Sequence, residues 1–348
     1  MRVLILGGGR FQGRRVAEML VEAGHAVTVV NRSTPIPGAR HVVADCDEPA
    51  RFAEVLRAVL ASGGGGKGGS GSGFDVVIDN IAYHPLHVRS LAARLEGRAG
   101  QYVLVSSFVV YEAPAAGSAS RRSRCPISEE EADLDLAAGS EYDVGKRRCE
   151  ALLVRGENGQ RCAIPWTILR FVNIDGPGDP SNRRGFFIDR VADRGGVLVP
   201  IDLISPFQVL WRDDAARAVV LAAGNPKALG QTYNVAGEEI LALPEWLDLI
   251  AETIGAPRPF VLGLPMDDLR HLAGFEYRAP LPGGLLVDIT RARKDLGYRS
   301  TRVDQWLPDT VAWWRGSGLE SRFWEHRPKE VETIRRVRKD LGLTERNQ

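Results

Sequence analysis

The chain has 348 residues, 44% hydrophobic and 26% charged, the balance of a globular protein with ample core. Its formal net charge is +1, so no whole-molecule field recruits nucleic acid, and no apolar run approaches the roughly 20 residues of a membrane helix. Cys46, Cys125, Cys149 and Cys162 show neither metal-ligand spacing nor a dense disulfide pattern. Too few residues precede the first glycines for a signal peptide. A reduced, cytoplasmic protein without a bound metal is expected.

Strand and helix signals alternate from the start. Residues 3–6 form a short apolar run, and 14–23 follow with Val16, Met19 and Leu20 on one helical face. Residues 25–31 and 41–45 read as strands, 50–60 as a helix, 74–80 as a strand, 86–95 as a helix and 101–107 as a strand. Strands joined by helical crossovers predict an α/β fold with a Rossmann-type, doubly wound parallel sheet. ASGGGGKGGSGSG (61–73) has the composition of a flexible loop and is expected to be poorly ordered. Within 112–141 the basic RRSRCP runs into the acidic SEEEADLD, which predicts a solvated loop between two candidate catalytic positions. Farther on, 164–170, 205–211 and 231–237 read as strands and 215–224 and 243–255 as helices. Residue 309 begins a helical tail, and 327–342 is amphipathic and ends basic. The expected division is a Rossmann dinucleotide-binding domain over 1–172 and 206–236. A smaller C-terminal α/β substrate-binding domain with a helical tail takes 173–205 and 237–348.

GGGRFQG (7–13) lies between the first strand and the first helix. Gly7 permits a tight turn and Gly13 close helix–strand packing, while Gly8 and Gly9 keep the turn clear of Cβ atoms. The helix start offers free N–H groups and a positive dipole end to a pyrophosphate. Arg10, followed by Phe11, stands where the usual fingerprint has its middle glycine and adds a cation. The second strand ends at Asn31 and Arg32. NAD binders usually carry an acid there, whereas Arg32 would attract a 2′-phosphate, so NADP is favoured and NAD stays possible. The alternative is a solvated Arg32. Asp45 is placed to accept from the adenine amino group, or is a turn residue. Asn80, which ends the fourth strand, and Ala82 just after it complete this set.

Ser107 ends the fifth strand, and Tyr142 and Lys146 form Y-D-V-G-K, one helical turn apart. An ammonium beside a phenol, with a cationic nicotinamide, lowers its pKa from about 10 and makes it a usable base. Lys146 would also hold the nicotinamide ribose, and Ser107 would orient the substrate oxygen. Hydride passes between the substrate carbon and nicotinamide C4.

With these residues in place the chain resembles the extended, atypical short-chain dehydrogenase/reductases of the NAD-dependent epimerase/dehydratase family. The GG-x-RF-x-G loop, VSSFVVY (105–111), LRFVNIDGPGDP (169–180), RDDAARA (212–218) and D-x-x-x-A-R-x-x-L-G (288–297) carry the resemblance. It implies that Asn173 contacts substrate, that Phe171 and Val172 lie by the nicotinamide, and that the protein is a homodimer pairing through the tyrosine-bearing helix. It also implies a small-molecule substrate, with no nucleic acid or membrane partner. Phe108 and Val109 replace the Asp-Glu pair of sugar dehydratases, which disfavours elimination of water. Of two nucleotide-binding arginines, Arg278 matches and Phe207 replaces the other; Arg183 and Arg184 are either substitutes for it or part of a solvated loop. His84 is either an added acid or base at the substrate or a structural histidine. Three readings follow: an epimerase or reductase of a nucleotide-linked sugar, a ketoreductase of a small metabolite, and a non-enzymatic RNA-binding relative. The Ser107, Tyr142 and Lys146 set argues against the last.

Overall fold

A computed structural model describes residues 1–32, 34–62, 73–111, 126–156, 162–273 and 285–342; the Gly/Ser stretch 63–72, the basic block at 121–125 and Arg278 lie outside them. The first elements are β1 (Arg2–Leu6), α1 (Phe11–Glu22), β2 (Ala26–Asn31), β3 (Arg40–Val43), α2 (Pro49–Ser62), β4 (Phe74–Asp79), α3 (Pro85–Leu95), β5 (Ala99–Ser107), α4 (Glu141–Val154) and β6 (Trp166–Phe171). There follow β7 (Ile174–Asp175), α5 (Arg183–Ala192), β8 (Val197–Pro200), β9 (Leu210–Trp211), α6 (Arg212–Ala222) and β10 (Gln231–Val235). The last are α7 (Leu243–Ile254), β11 (Val261–Leu264), α8 (Met266–Ala273), α9 (Val303–Gly316) and α10 (Arg327–Asp340).

Seven strands form one parallel sheet in the order β3-β2-β1-β4-β5-β6-β10. In β1, Val3 to Leu6 are buried, which explains the unbroken apolar run: a central parallel strand is covered on both faces. Strand order reverses between β1 and β4. The loops at the carboxyl ends there form the crevice in which doubly wound sheets bind ligands.

Two compact units divide the chain. The first comprises Met1–Ile174, Leu210–Glu238 and Val287–Ser300; the second comprises Asp175–Val209, Glu239–Leu286 and Thr301–Gln348. Segment 287–300, expected in the substrate-binding part, joins the first unit through polar contacts. Asp288 N–H donates to the Ile127 carbonyl at 2.8 Å, and Arg291 pairs with Glu130. In the second unit β8 pairs with β11, and α7 packs against α5 and α9. Arg190 and Glu330 form a buried ion pair at 2.7 Å that fastens α10 to α5.

Some boundaries differ from expectation for local reasons. The strand expected over 205–211 shrinks to Leu210–Trp211, because Pro206 has no N–H to donate to a ladder. Phe207 makes only an isolated bridge to Leu241. β3 stops at Val43, and the Asp45 carboxylate then accepts from the Asp47 N–H at 3.0 Å, an Asx turn. α9 begins at Val303, before the expected 309, and carries Pro308 inside it.

Candidate active site

β1 delivers the chain to Gly7, whose φ of 81° suits glycine alone. A Cβ there would overlap the Ile81 side chain, so the loop closes tightly on the end of β4. A Cβ at Gly13 would stand 3.2 Å from the Gly7 carbonyl, which holds α1 close to the strand. Arg10 is exposed, and α1 begins there with no side-chain cap and no acid in its first turn. Its leading N–H groups are therefore disposed toward an anion. Phe11 takes a left-handed φ of 46°, a conformation that costs a bulky residue about 1–2 kcal/mol. Strain of this kind clusters at ligand sites.

The loop contains a residue that spacing alone does not single out. Gln12 Nε2 donates to Asn80 Oδ1 at 2.9 Å, while its buried Oε1 has no donor among the described residues. The uncapped helix start suits the pyrophosphate of a dinucleotide, and the orphan acceptor beside it suits a donor such as a ribose hydroxyl. Asn80 also donates to the Leu6 carbonyl at 3.2 Å and so joins the ends of β1 and β4. Asn31 is buried and shapes the turn after β2: its Oδ1 accepts from the Thr34 N–H at 2.9 Å and lies 3.0 Å from His41 Nε2. Gly9 lies against that amide; a Cβ on it would stand 3.1 Å away. The Arg32 side chain is 66% exposed and 4.0 Å from Asp47, a loose surface pair of little energetic worth.

α4 opens with a capping box in which the Ser140 hydroxyl accepts from the Asp143 N–H at 3.3 Å and the Asp143 carboxylate accepts from the Ser140 N–H at 2.9 Å. This fixes the turn that carries Tyr142, a residue left 42% exposed. One turn on, Lys146 is buried and donates from Nζ to the Val105 carbonyl on β5 at 2.9 Å. That nitrogen lies 5.8 Å from the centre of the Tyr142 ring. Burial pushes Lys146 below the ordinary lysine value, while Cys149, Asp79 and Glu150 act in the opposite sense. Arg147 is buried beside it. Its guanidinium donates to the carbonyls of Val109 and Val110 on one side and of Leu136 and Ala138 on the other.

Lys146 and Arg147 thus grip the chain on both sides of Ser107. Ser107 is partly exposed, and its Oγ accepts from the Val109 N–H at 3.4 Å. Ser106 instead is buried and donates to Glu150 on α4. Alternation along a strand sends the two serines to opposite faces. Gly145 lets α4 come this close, since a Cβ there would overlap the Tyr83 carbonyl. Cys149 donates to the Ala82 carbonyl at 3.7 Å, and burial pushes its thiol up to about 12, which leaves it unreactive. Ala82 is itself fully buried.

The remaining candidates fall in both units. Phe171 ends β6 and is buried; the Asn173 carbonyl accepts from the Leu210 N–H at 3.1 Å. His84 caps α3, its Nδ1 accepting from the Leu86 N–H at 3.2 Å. Arg183 belongs to the second unit, where its Nε donates to Ser181 Oγ at 2.9 Å. Arg184 is buried against Asp175 and lies 4.8 Å over the Trp246 ring. Phe207 is a core residue against the same tryptophan.

Residues 3–236 match the NAD dependent epimerase/dehydratase family. This chain belongs to that family. Among curated proteins it is 28% identical over 268 residues to the chloroplast stem-loop binding protein of 41 kDa b of Arabidopsis thaliana, a span of 75% of this chain. The match covers 65% of that relative, just under two thirds of its length. It is 26% identical over 275 residues to a 2-alkyl-3-oxoalkanoate reductase of Stenotrophomonas maltophilia, covering 74% of this chain and 77% of that one. The UDP-glucose 4-epimerase of Thermotoga maritima, solved with UDP-glucose, superposes with a TM-score of 0.64 at 17% identity, covering 91% of this chain and 99% of that one. The last likeness is one of fold. Among the described residues of this epimerase/dehydratase family member, no helix is long and apolar enough to cross a membrane.

Proposed function

We propose that this family member is an NAD(P)-dependent oxidoreductase acting on a hydroxyl or keto carbon of a sugar-like, nucleotide-linked substrate. The observation that carries the reading is the joint placement of Ser107, Tyr142 and Lys146: a half-exposed phenol beside a buried ammonium that reaches the serine-bearing strand. Bound nicotinamide supplies the hydride donor or acceptor. Tyr142 takes a proton from the substrate hydroxyl in oxidation and returns it in reduction. Lys146 stabilises the phenolate electrostatically and would hold the ribose hydroxyls of the bound cofactor. Ser107 donates to the substrate oxygen and aims it at Tyr142. The same proposal includes a cytoplasmic homodimer pairing through α4. The UDP-glucose in the Thermotoga structure supports the nucleotide-sugar class.

NADP is the favoured cofactor in this reading. Arg32 is exposed and bound to Asp47 only loosely, so little is lost when it turns to a 2′-phosphate. A second reading, a ketoreductase of a small metabolite, is favoured by the burial of Phe207 where a phosphate-binding arginine is expected. The reductase from Stenotrophomonas lends it a precedent. The test is a thermal-shift screen of nucleotide sugars and β-keto acids with each cofactor. Hydride transfer with the hits is then compared between the wild type and Tyr142→Phe. Stabilisation by nucleotide sugars with turnover lost in the variant supports the first reading; a response to keto acids alone replaces it with the second. Hydride transfer undiminished in Tyr142→Phe overturns the assigned mechanism.

A further inference from the structure

Tyr83 follows β4 on the loop that α4 packs against. Its ring lies 6.0 Å from the Tyr142 ring at an interplanar angle of 43°. Lys146 Nζ is 5.0 Å from the centre of the Tyr83 ring, nearer than its 5.8 Å to Tyr142. One ammonium therefore faces two aromatic rings. Both distances are within the roughly 6 Å over which a cation is attracted by a ring face.

This arrangement answers an electrostatic need. Lys146 is 2% exposed, and a buried ammonium must recover the hydration that it loses. The Val105 carbonyl supplies one hydrogen bond. Asp79 from β4 and Cys149 and Glu150 from α4 are the titratable groups facing it, but Asp79 and Cys149 are both raised by their own burial. An electron-rich ring face attracts the ammonium without carrying a titratable charge at neutral pH. The groups facing Tyr83 itself are Asp79, Cys46 and Arg32; burial, then Asp79 and Cys46, raise its phenol, which stays neutral. Half of the Tyr83 surface remains open, more than a residue retained for core packing needs.

We infer that Tyr83 is a positioning residue for the proposed reaction, its ring face holding the Lys146 ammonium against Tyr142. The inference rests on the reading of Tyr142 and Lys146 as base and cation.

The test uses the intact protein without substrate. Tyrosine ring carbons are labelled with ¹³C, and the Tyr142 signal, identified by its loss in Tyr142→Phe, is followed with pH by NMR. Tyr83→Leu removes the ring face and should raise the Tyr142 midpoint by about 0.5 pH unit, the scale of one partly desolvated cation–π contact. Tyr83→Phe keeps the face and should leave the midpoint in place. Lys146→Met is the reference for losing the cation altogether and should move the midpoint further up than Tyr83→Leu. If Lys146→Met moves Tyr142 and Tyr83→Leu does not, the role of Tyr83 is overturned and the proposed site stands. If Lys146→Met leaves the Tyr142 midpoint where it stands in the wild type, both fall.

Discussion

Glu150 and Arg170 meet at 2.6 Å with side chains 0% and 3% exposed, and the same Glu150 carboxylate receives the Ser106 hydroxyl. Arg170 donates onward to the Tyr111 hydroxyl at 2.8 Å and to the Glu129 carbonyl at 2.7 Å. Tyr111 donates to Asn234 Oδ1 at 2.6 Å, and the Asn234 N–H returns to the Glu129 carboxylate at 2.9 Å. One closed polar network therefore fastens α4 to β5, β6 and β10. It fixes the helix that carries Tyr142 and Lys146 against the strand that carries Ser107.

Glu150→Ala leaves the Arg170 guanidinium buried without its carboxylate, a change that costs about 3–5 kcal/mol. Ser106→Ala removes the hydrogen bond donated to Glu150 and should cost about 1–2 kcal/mol. Chemical denaturation of the two variants provides the check. A loss below about 1 kcal/mol for Glu150→Ala would mean that the network is not what holds α4.

Gly145→Ala sets helix propensity against packing. Alanine is the better helix former by about 1 kcal/mol. The added Cβ, however, meets the Tyr83 carbonyl, which is backbone and cannot swing aside. Overpacking costs typically 1–3 kcal/mol, so the variant should be less stable and should bind nicotinamide cofactor more weakly as α4 is displaced. A variant that melts above the wild type and binds cofactor normally would show that the close approach is relaxed in solution.

The parallel sheet is legible in the sequence because buried strands write themselves as unbroken apolar runs, as Val3 to Leu6 do. The glycines of the cradle and Y-D-V-G-K are legible because their spacing is local. Arg147, Gln12 and Tyr83 are not. Each acts between a helix and a loop, on partners 9 to 68 positions away, and nothing in their immediate sequence marks them. The strand expected over 205–211 survives only as the Phe207–Leu241 bridge and Leu210–Trp211, and Pro206, with no N–H for a ladder, cannot extend it toward 205.

Cofactor preference should turn on two exposed residues. NADPH should bind more tightly than NADH, and Arg32→Ala should remove most of that difference, about five- to tenfold for one charge-assisted phosphate contact in a solvated site. Asp47→Asn should widen the preference, since it removes the competing acid 4.0 Å from the guanidinium. Dissociation constants follow from titration of nicotinamide fluorescence. Equal affinities for NADPH and NADH in the wild type would remove Arg32 from the cofactor site.

Lys146 gives stability and catalysis opposite dependences on alkaline pH. Burial lowers its pKa in the folded protein below the value of about 10.4 it has in the unfolded chain. Between the two values the unfolded chain binds the proton and the folded protein does not, so stability from this group rises with pH across that window. Below the folded value the buried charge weakens the fold but supports the Tyr142 phenolate. As pH rises through the folded value that support is lost, and turnover falls before an ordinary lysine would titrate. Lys146→Met should abolish turnover and flatten the stability rise. Melting temperatures and initial rates measured over the same alkaline series separate the two effects. A wild-type alkaline limb at or above the ordinary lysine value, or a stability curve unchanged in Lys146→Met, would place the proton elsewhere.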